Sequence, residues 1–260
     1  MWNKTVLKDR NILVTGATGG IGRAIAVACA ERGARLLVCG RKAEAMDALA
    51  AELSAAGAAA VWARALDVRD RAAVAAWWEA VPASFKSLYA LVNNAGLARG
   101  LENVRNNDMD DWDEMVDTNV KGLLYVTRTV LPGMAAAGTG HVVNIGSLAG
   151  VAAYPNGAVY CATKAAVKTF SDGLRQDLAD TAVRVTNIQP GLVETGFSVV
   201  RFHGDADRAK SVYQGIEPLA AEDVAENVLF ALEAPAHVQI CELTITATHQ
   251  ATGGVVWRKK

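Results

Sequence analysis

The sequence predicts one doubly wound α/β domain on a parallel sheet, and three observations predict it. Short apolar strands alternate with amphipathic helices along the whole 260-residue chain. The strands show little polar alternation, as parallel strands covered on both faces do. No Pro/Gly/Ser-rich linker and no internal repeat divides the chain, so 1–260 reads as a single domain.

The elements follow in order. Asn11 to Thr15 (NILVT) is an apolar run stopped by Gly16 and reads as a buried strand. A glycine-rich turn comes next, then RAIAVACAERG, which suits a helix closed by Gly33. ARLLVC is a second strand, KAEAMDALAAELSAAG a second helix ended by Gly57, and AVWARAL a third strand. A helix from about Asp70 to Ala80 leads to a fourth strand, LYALVNN, and the Asn-Asn-Ala-Gly turn. A long helical region runs from Trp112 to Ala137, with a kink or break expected at Pro132. HVVNIGS is a fifth strand, Val159 to Ala179 a long helix, and VRVTNIQP a sixth strand stopped by Pro190 and Gly191. Phe197 to Glu217 is polar and irregular, Glu222 to Leu232 helical, and QICELTIT a last strand.

Composition narrows the function classes. Apolar residues make up 52% and charged residues 20%, the balance of an ordinary globular protein. A formal net charge of -1 gives no electrostatic reason to expect nucleic acid or an anionic membrane as partner. Cys29, Cys39, Cys161 and Cys241 are far apart with no C-x-x-C pair, so reduced, mostly packed thiols and a cytoplasmic location are expected. His141, His203, His237 and His249 show no ligand spacing, so no metal is expected. The amino end is too polar for a signal peptide, and no apolar run is long enough to span a membrane.

Thr15 to Gly22 reads TGATGGIG, which brings Gly16, Thr18, Gly19, Gly20, Ile21 and Gly22 between a strand and a helix. Glycines let such a turn take positive φ or approach a ligand closely. The helix start supplies unpaired N–H groups and a positive dipole end for a pyrophosphate. The bland alternative is a structural turn with no ligand. Past the second strand, where an NAD-preferring fold places an acid for the ribose 2′-hydroxyl, this chain has Arg41 and Lys42. Cations there favour a 2′-phosphate, hence NADP, over a merely solvated basic pair.

Tyr160 and Lys164 stand four apart on a predicted helix and share one face. A nearby ammonium favours phenolate, which draws a tyrosine toward acid/base work. Ser147 precedes Tyr160 just past the fifth strand and suits contact with a substrate oxygen. Asn119 can hold a water or a backbone group on a proton path to Lys164. Taken singly each is bland, since a helical tyrosine is usually packing and a lysine usually surface. Cys161 adjoins Tyr160 but points elsewhere and reads as packing. Trp77 and Trp78 read as anchors of their helix.

With these pieces in this order, the chain resembles the short-chain dehydrogenase/reductase family. The matching segments are TGATGGIG, Asn93-Asn94-Ala95-Gly96, Asn119, Ser147, Tyr160-Cys161-Ala162-Thr163-Lys164 and Pro190-Gly191-Leu192-Val193-Glu194-Thr195. Thr163 stands where the family more often has serine. The resemblance implies a Rossmann fold with a seven-stranded parallel sheet in the order 3-2-1-4-5-6-7. It implies Tyr160 as acid/base, Ser147 on the carbonyl, Lys164 on the nicotinamide ribose and Asn119 in the proton relay. It further implies Asp67 and Val68 at the adenine and Asn94, Ala95 and Gly96 behind the cofactor. Pro190, Gly191, Val193 and Thr195 would then line the nicotinamide, with Val193 and Thr195 on its carboxamide. A homotetramer is also implied.

Segments such as WDEMVDTNVKGLLYVTRTVLPGM and TAVRVTNIQPGLVETGFSVVRFHGD resemble one subgroup, the NADP-dependent 3-hydroxy acid (serine or allo-threonine) dehydrogenases. Sulfoacetaldehyde reductases form a sister group. The expectation is therefore hydride transfer between NADP(H) and a small anionic substrate. The alternatives are a neutral-ketone or 3-oxoacyl reductase of the same fold, and a non-catalytic NADP-binding scaffold. A lid is expected at 196–219, with Arg201 as the substrate-binding cation between Phe197 and Phe202. Arg201 could instead pair with Glu194 or Asp205, and Arg99 is a second candidate.

Overall fold

Every residue of Asn11–Thr15 is buried, and this run forms β1 at the centre of the sheet. The structure, a computed structural model, describes residues 5–259. β2 (Arg35–Gly40), β3 (Ala60–Ala65), β4 (Leu88–Asn93), β5 (Thr139–Ile145), β6 (Ala182–Pro190) and β7 (Glu242–Ile245) complete a seven-stranded sheet in the order β3-β2-β1-β4-β5-β6-β7. Every pairing is parallel. The winding direction changes between β1 and β4, which opens a crevice at the carboxyl ends of those strands.

Helices cover both faces, as parallel strands require. On one face α1 (Gly20–Glu31), α2 (Met46–Ala55) and α10 (Ala221–Leu232) pack over Ile12, Val14, Leu36 and Val92. On the other, α3 (Arg71–Ala80), the short α4 (Ala83–Lys86), α6 (Leu123–Ala137) and α7 (Ala158–Asp177) pack over Leu13, Leu37, Leu91 and Val142. Strand residues of alternate parity therefore serve the two cores. Asp70 caps α3, its carboxylate accepting from the N–H groups of Ala72 and Ala73 at 2.8 and 2.9 Å. Trp77 lies edge-on to Trp62, ring centres 4.7 Å apart, and anchors α3 to the sheet edge as expected. Cys29, Cys39 and Cys161 are buried and Cys241 exposed, none in a disulfide. Burial pushes the Cys29 and Cys39 thiols up to about 12, which keeps them unreactive.

Three expectations change. α6 runs through Pro132 to Ala137 without a break. Proline removes one N–H, and the packing of Val126, Val130 and Met134 against the sheet holds the axis. The irregularity lies earlier, where α5 (Met109–Val116) passes into a widened π-helical turn, Asp117–Gly122, before α6. The last strand is also shorter than its sequence run. Gln239, Ile240 and Cys241 still lie along β6, but irregularly: the Val185 N–H donates to Gln239 Oε1, Thr186 Oγ1 to the Ile240 carbonyl, and the Asn187 N–H to the Cys241 carbonyl.

A buried polar row fastens the α6/α7 layer beneath the crevice. Asn93 and Asn144 are register partners on β4 and β5. Asn93 Nδ2 donates to Thr127 Oγ1 of α6 and to Asn144 Oδ1, both at 2.9 Å, and Asn144 Nδ2 donates to Ser171 Oγ of α7 at 2.8 Å. Linked buried amides and hydroxyls of this kind favour one arrangement of their elements, although Asn93 Oδ1 has no partner among the described residues. The region 197–217 is more ordered than expected and contains α8 (Phe197–Arg201) and α9 (Ala206–Ser211).

Candidate active site

The glycine-rich turn is a cradle shaped by its neighbours. Gly16 has φ +64°, a conformation L side chains rarely adopt. A side chain on Gly22 would collide with Asn94 Nδ2 and the Gly16 carbonyl oxygen. Asn94 is the brace: its Nδ2 donates to the carbonyls of Thr15 and Gly16 at 2.9 and 3.1 Å. The N–H groups of Asn94 and Ala95 donate to Thr15 Oγ1 at 3.1 and 3.0 Å. No side chain caps the start of α1 and its first turn carries no acid, so its N–H groups stand open. Thr18 packs over Gly40, and Gly19 and Gly20 are exposed at the rim beside half-buried Ile21.

The loop after β6 closes the other side. The Gly191 N–H donates to the Ile245 carbonyl at 2.8 Å, and the Leu192 N–H to Gln250 Oε1 at 2.7 Å. Val193 bridges to Leu219, and Thr195 approaches Gly20 closely enough that a side chain there would touch it at 3.4 Å. Open helix N–H groups, a glycine floor and a facing loop fit a dinucleotide pyrophosphate.

Tyr160 and Lys164 lie on the buried face of α7, with Cys161 and Thr163 buried beside them. Lys164 is thus not a surface residue. Its Nζ donates to the Ile145 carbonyl at 2.9 Å and lies 6.0 Å from the centre of the Tyr160 ring. Burial pushes the Lys164 ammonium down to about 8. Burial also pushes the Tyr160 phenol up, Tyr154 adds to this, and the Ser147 hydroxyl and Arg201 oppose it. Desolvation is the largest of these, so Tyr160 is a protonated phenol at neutral pH and is not drawn toward phenolate as expected from Lys164.

Asn119 sits in the π turn, and the widened backbone turns its amide into the interior. Oδ1 accepts from the Leu97 N–H at 2.8 Å, and Nδ2 donates to the Leu97 carbonyl at 2.8 Å and to Thr163 Oγ1 at 3.1 Å. The amide thus holds a backbone group, the Leu97 peptide. Thr163 Oγ1 in turn donates to the Tyr160 carbonyl at 2.8 Å. A side chain on Gly96 would lie 3.1 Å from Asn119 Oδ1 and 3.5 Å from Lys164 Nζ, so the bare α-carbon keeps those groups accessible. Ser147 opens the short helical turn Leu148–Gly150, its Oγ accepting from the Ala149 N–H at 3.1 Å.

Arg201, at the end of α8, reaches over this group. Its Nε donates to the Gly100 carbonyl at 2.8 Å and its Nη2 to Tyr154 Oη at 3.1 Å. Its guanidinium lies 5.8 Å from the centre of the Tyr160 ring. Neither Glu194 nor Asp205 holds it; Asp205 instead caps α9, accepting from the Arg208 N–H at 2.9 Å. Phe197 meets Tyr160 edge-on at 5.8 Å, and Phe202 is buried under Arg208. His203 is exposed and pairs with Asp111 at 3.1 Å. Arg99, the second candidate, is committed elsewhere: Nε donates to Glu114 Oε2 at 2.6 Å and Nη1 to the Val200 carbonyl at 2.5 Å.

Arg41 and Lys42 are exposed at the end of β2, and Arg41 reaches Glu114 at 3.2 Å. Asp67 is occupied by Arg69, whose hydrogen bond holds its carboxyl below the usual range. Val68 packs against Gly122 of the π turn, joining the loop after β3 to the Asn119 segment. Sequence reading missed two residues, Tyr154 and Glu114. Tyr154 has no fixed spacing from the catalytic helix, its one signal being an aromatic hydroxyl in the turn Tyr154-Pro155-Asn156-Gly157 before α7. Glu114 has no local signal, because its partners are 15 or more residues away.

A doubly wound sheet with a pyrophosphate cradle beside a buried Tyr/Lys pair defines a nucleotide-dependent oxidoreductase. Residues 10–205 match the short chain dehydrogenase family, and the chain belongs to it. It is 46% identical over 245 residues to an NADP-dependent 3-hydroxy acid dehydrogenase of Salmonella typhi, covering 94% of this chain and 97% of that one. It is 44% identical over 241 residues to sulfoacetaldehyde reductase 2 of Chromohalobacter salexigens, covering 92% and 95%. A solved structure described as the closed form of serine dehydrogenase complexed with NADP+ superposes with a TM-score of 0.90 at 44% identity, covering 96% of this chain and 99% of that one.

Proposed function

We propose that this NADP-dependent short-chain dehydrogenase/reductase interconverts a small 3-hydroxy acid, of the serine, allo-threonine or 3-hydroxypropionate type, and its oxo partner. The observation that carries the reading is Arg201. Its guanidinium is aimed across the face of Tyr160 by Gly100 and Tyr154, with no carboxylate paired to it among the described residues. A cation so placed suits a substrate whose acidic group lies near the reacting carbon.

NADP, when bound, supplies or accepts the hydride. Gly16, Thr18, Gly19, Gly20, Ile21 and Gly22 cradle its pyrophosphate, and Arg41 with Lys42 meets the 2′-phosphate. Asp67 and Val68 border the adenine. Asn94, Ala95 and Gly96 form the floor. Pro190, Gly191, Val193 and Thr195 flank the nicotinamide, and Lys164 holds its ribose. Tyr160 gives its phenolic proton to the substrate oxygen during reduction and takes it back during oxidation. Ser147 donates to the same oxygen. Asn119 fixes the Leu97 backbone and Thr163, which keeps α7 aligned with the relay. The segment 196–219 covers the substrate and excludes water.

Nearly equal identity to a sulfoacetaldehyde reductase supports a second reading, in which the anion is a sulfonate. The test is turnover with NADP(H) on L-serine, L-allo-threonine, 3-hydroxypropionate, sulfoacetaldehyde and a neutral ketone. A carboxylate substrate should give the highest kcat/KM. Preference for the sulfonate selects the second reading, and preference for the neutral ketone overturns both. Among the described residues no helix is long and apolar enough to cross a membrane.

A further inference from the structure

Glu114 lies on α5, yet its carboxylate is shared by three arginines from three separate loops. Arg41 Nη1, past β2, and Arg69 Nη1, past β3, lie 3.2 and 3.4 Å from Oε1. Arg99 Nε, past β4, lies 2.6 Å from Oε2. Burial raises the Glu114 carboxyl, but hydrogen bonds and charge from Arg99 and Arg41 win and hold it below its ordinary range, so it is ionised. With Asp67 on Arg69, these five side chains keep one positive charge in excess.

The far side of this cluster is tied to the substrate end of the crevice. Arg99 Nη1 donates to the Val200 carbonyl of α8. The next residue, Gly100, exchanges two hydrogen bonds with Arg201: its N–H donates to the Arg201 carbonyl at 2.8 Å, and its carbonyl accepts from Arg201 Nε at 2.8 Å. Arg41 is 48% exposed and held at one end, whereas Arg99 is 18% exposed and held at both.

We propose that Glu114 is a positioning residue that couples the cofactor's 2′-phosphate to the substrate lid. Before the cofactor binds, Glu114 is the stand-in anion for Arg41 and Arg69. A phosphate dianion takes those guanidiniums in preference to a shared carboxylate. The charge of Glu114 then falls on Arg99 alone, which holds Val200 and sets Arg201 more firmly over Tyr160. Coupling of this kind is reciprocal, so the 2′-phosphate and the substrate tighten each other's binding by one factor. The inference rests on Arg41 as the 2′-phosphate partner.

The test is amide hydrogen exchange over 99–101 and 197–204, with saturating adenosine 2′,5′-bisphosphate against saturating 5′-AMP. In the wild type the bisphosphate should slow exchange there about fivefold more than AMP does. Glu114→Gln should abolish that difference, and Arg99→Met, which cuts the same link from its other end, should abolish it too. In kinetics, the substrate KM with NADH divided by that with NADPH should fall toward one in Glu114→Gln, while kcat with NADPH changes little. An unchanged exchange difference in both variants overturns the proposal. Calorimetry on Arg41→Ala separates the two readings. If affinity for bisphosphate and AMP falls equally, the reading of Arg41 is wrong and the coupling goes with it. If only bisphosphate affinity falls while Glu114→Gln keeps the exchange difference, the coupling alone is wrong.

Discussion

The Arg201 guanidinium lies 5.8 Å from the centre of the Tyr160 ring and donates to the Tyr154 hydroxyl at 3.1 Å. An acidic substrate whose reacting oxygen meets Tyr160 would thus bring its anion within reach of Arg201. Arg201→Met should lower kcat/KM for an acidic substrate by roughly 1.5–3 kcal/mol, about ten- to hundredfold, and leave a neutral ketone nearly unaffected. Tyr154→Phe removes only the hydroxyl that orients the guanidinium and should cost about 0.5–1.5 kcal/mol. Equal losses on both substrates would make Arg201 a brace of the lid.

Tyr160→Phe keeps the ring that packs against Phe197 and removes the transferable proton. Cofactor affinity should hold while turnover drops about 10²–10⁴-fold. Burial raises the phenol above its ordinary value, so it stays protonated through neutral pH. Carbonyl reduction, which consumes that proton, should then be flat across neutral pH, and alcohol oxidation should climb as pH rises. Rate profiles in the two directions check this, and an oxidation rate that falls with rising pH contradicts it.

Lys164 should tax the fold itself. Its ammonium is pushed from 10.5 down to about 8, so between those values the unfolded chain binds more protons and stability rises with pH. Below about pH 8 the cost is complete, on the order of 3 kcal/mol. Lys164→Met should therefore be inactive yet more stable than wild type at pH 7, by less than this because the Ile145 carbonyl loses its donor. The advantage should fade toward pH 10.5. Thermal melts at several pH values give the answer; a variant less stable at pH 7 would show that the hydrogen bond outweighs the buried charge.

Assembly is open to a direct measurement. Val116 and Leu124 are exposed on the α5–α6 segment, and Val255 and Trp257 near the carboxyl end. Apolar side chains left in water on two faces suit the two interfaces of a homotetramer. Light scattering at micromolar concentration should return four times the chain mass. A monomer would remove the tetramer, and Trp257→Glu should shift the mass downward if the tail is one interface.

Much of this was legible in the sequence. β1 follows from NILVT and its glycine stop, and the alternation of strands and helices is that of the observed sheet. The segment 109–137 shows the limit. Proline is a visible helix breaker, so Pro132 drew the expected kink, yet packing of Val126, Val130 and Met134 overrode it. The real distortion, at Asp117–Gly122, has no proline and follows from contacts with Val68, Leu97 and Thr163 that no local window contains. At the site, Tyr160 and Lys164 were readable from their spacing on one helix. Their burial was not, because it depends on what β5 and α8 lay over them. Glu114 and Tyr154 act through partners distant in the chain and left no periodic signal.

The π turn also works as a ruler. An α-helix rotates about 100° per residue, so adding or deleting one residue between Met109 and Asn119 swings the Asn119 amide off Leu97 and Thr163. The length of that stretch is therefore fixed. The loop just before it, exposed over 102–106 and tied to α9 by Glu102 on Arg208 at 2.8 Å, lies outside that length constraint. Natural or engineered insertions should therefore collect there, and a loop graft at 102–107 can reshape the mouth of the crevice without touching the register of the proton path.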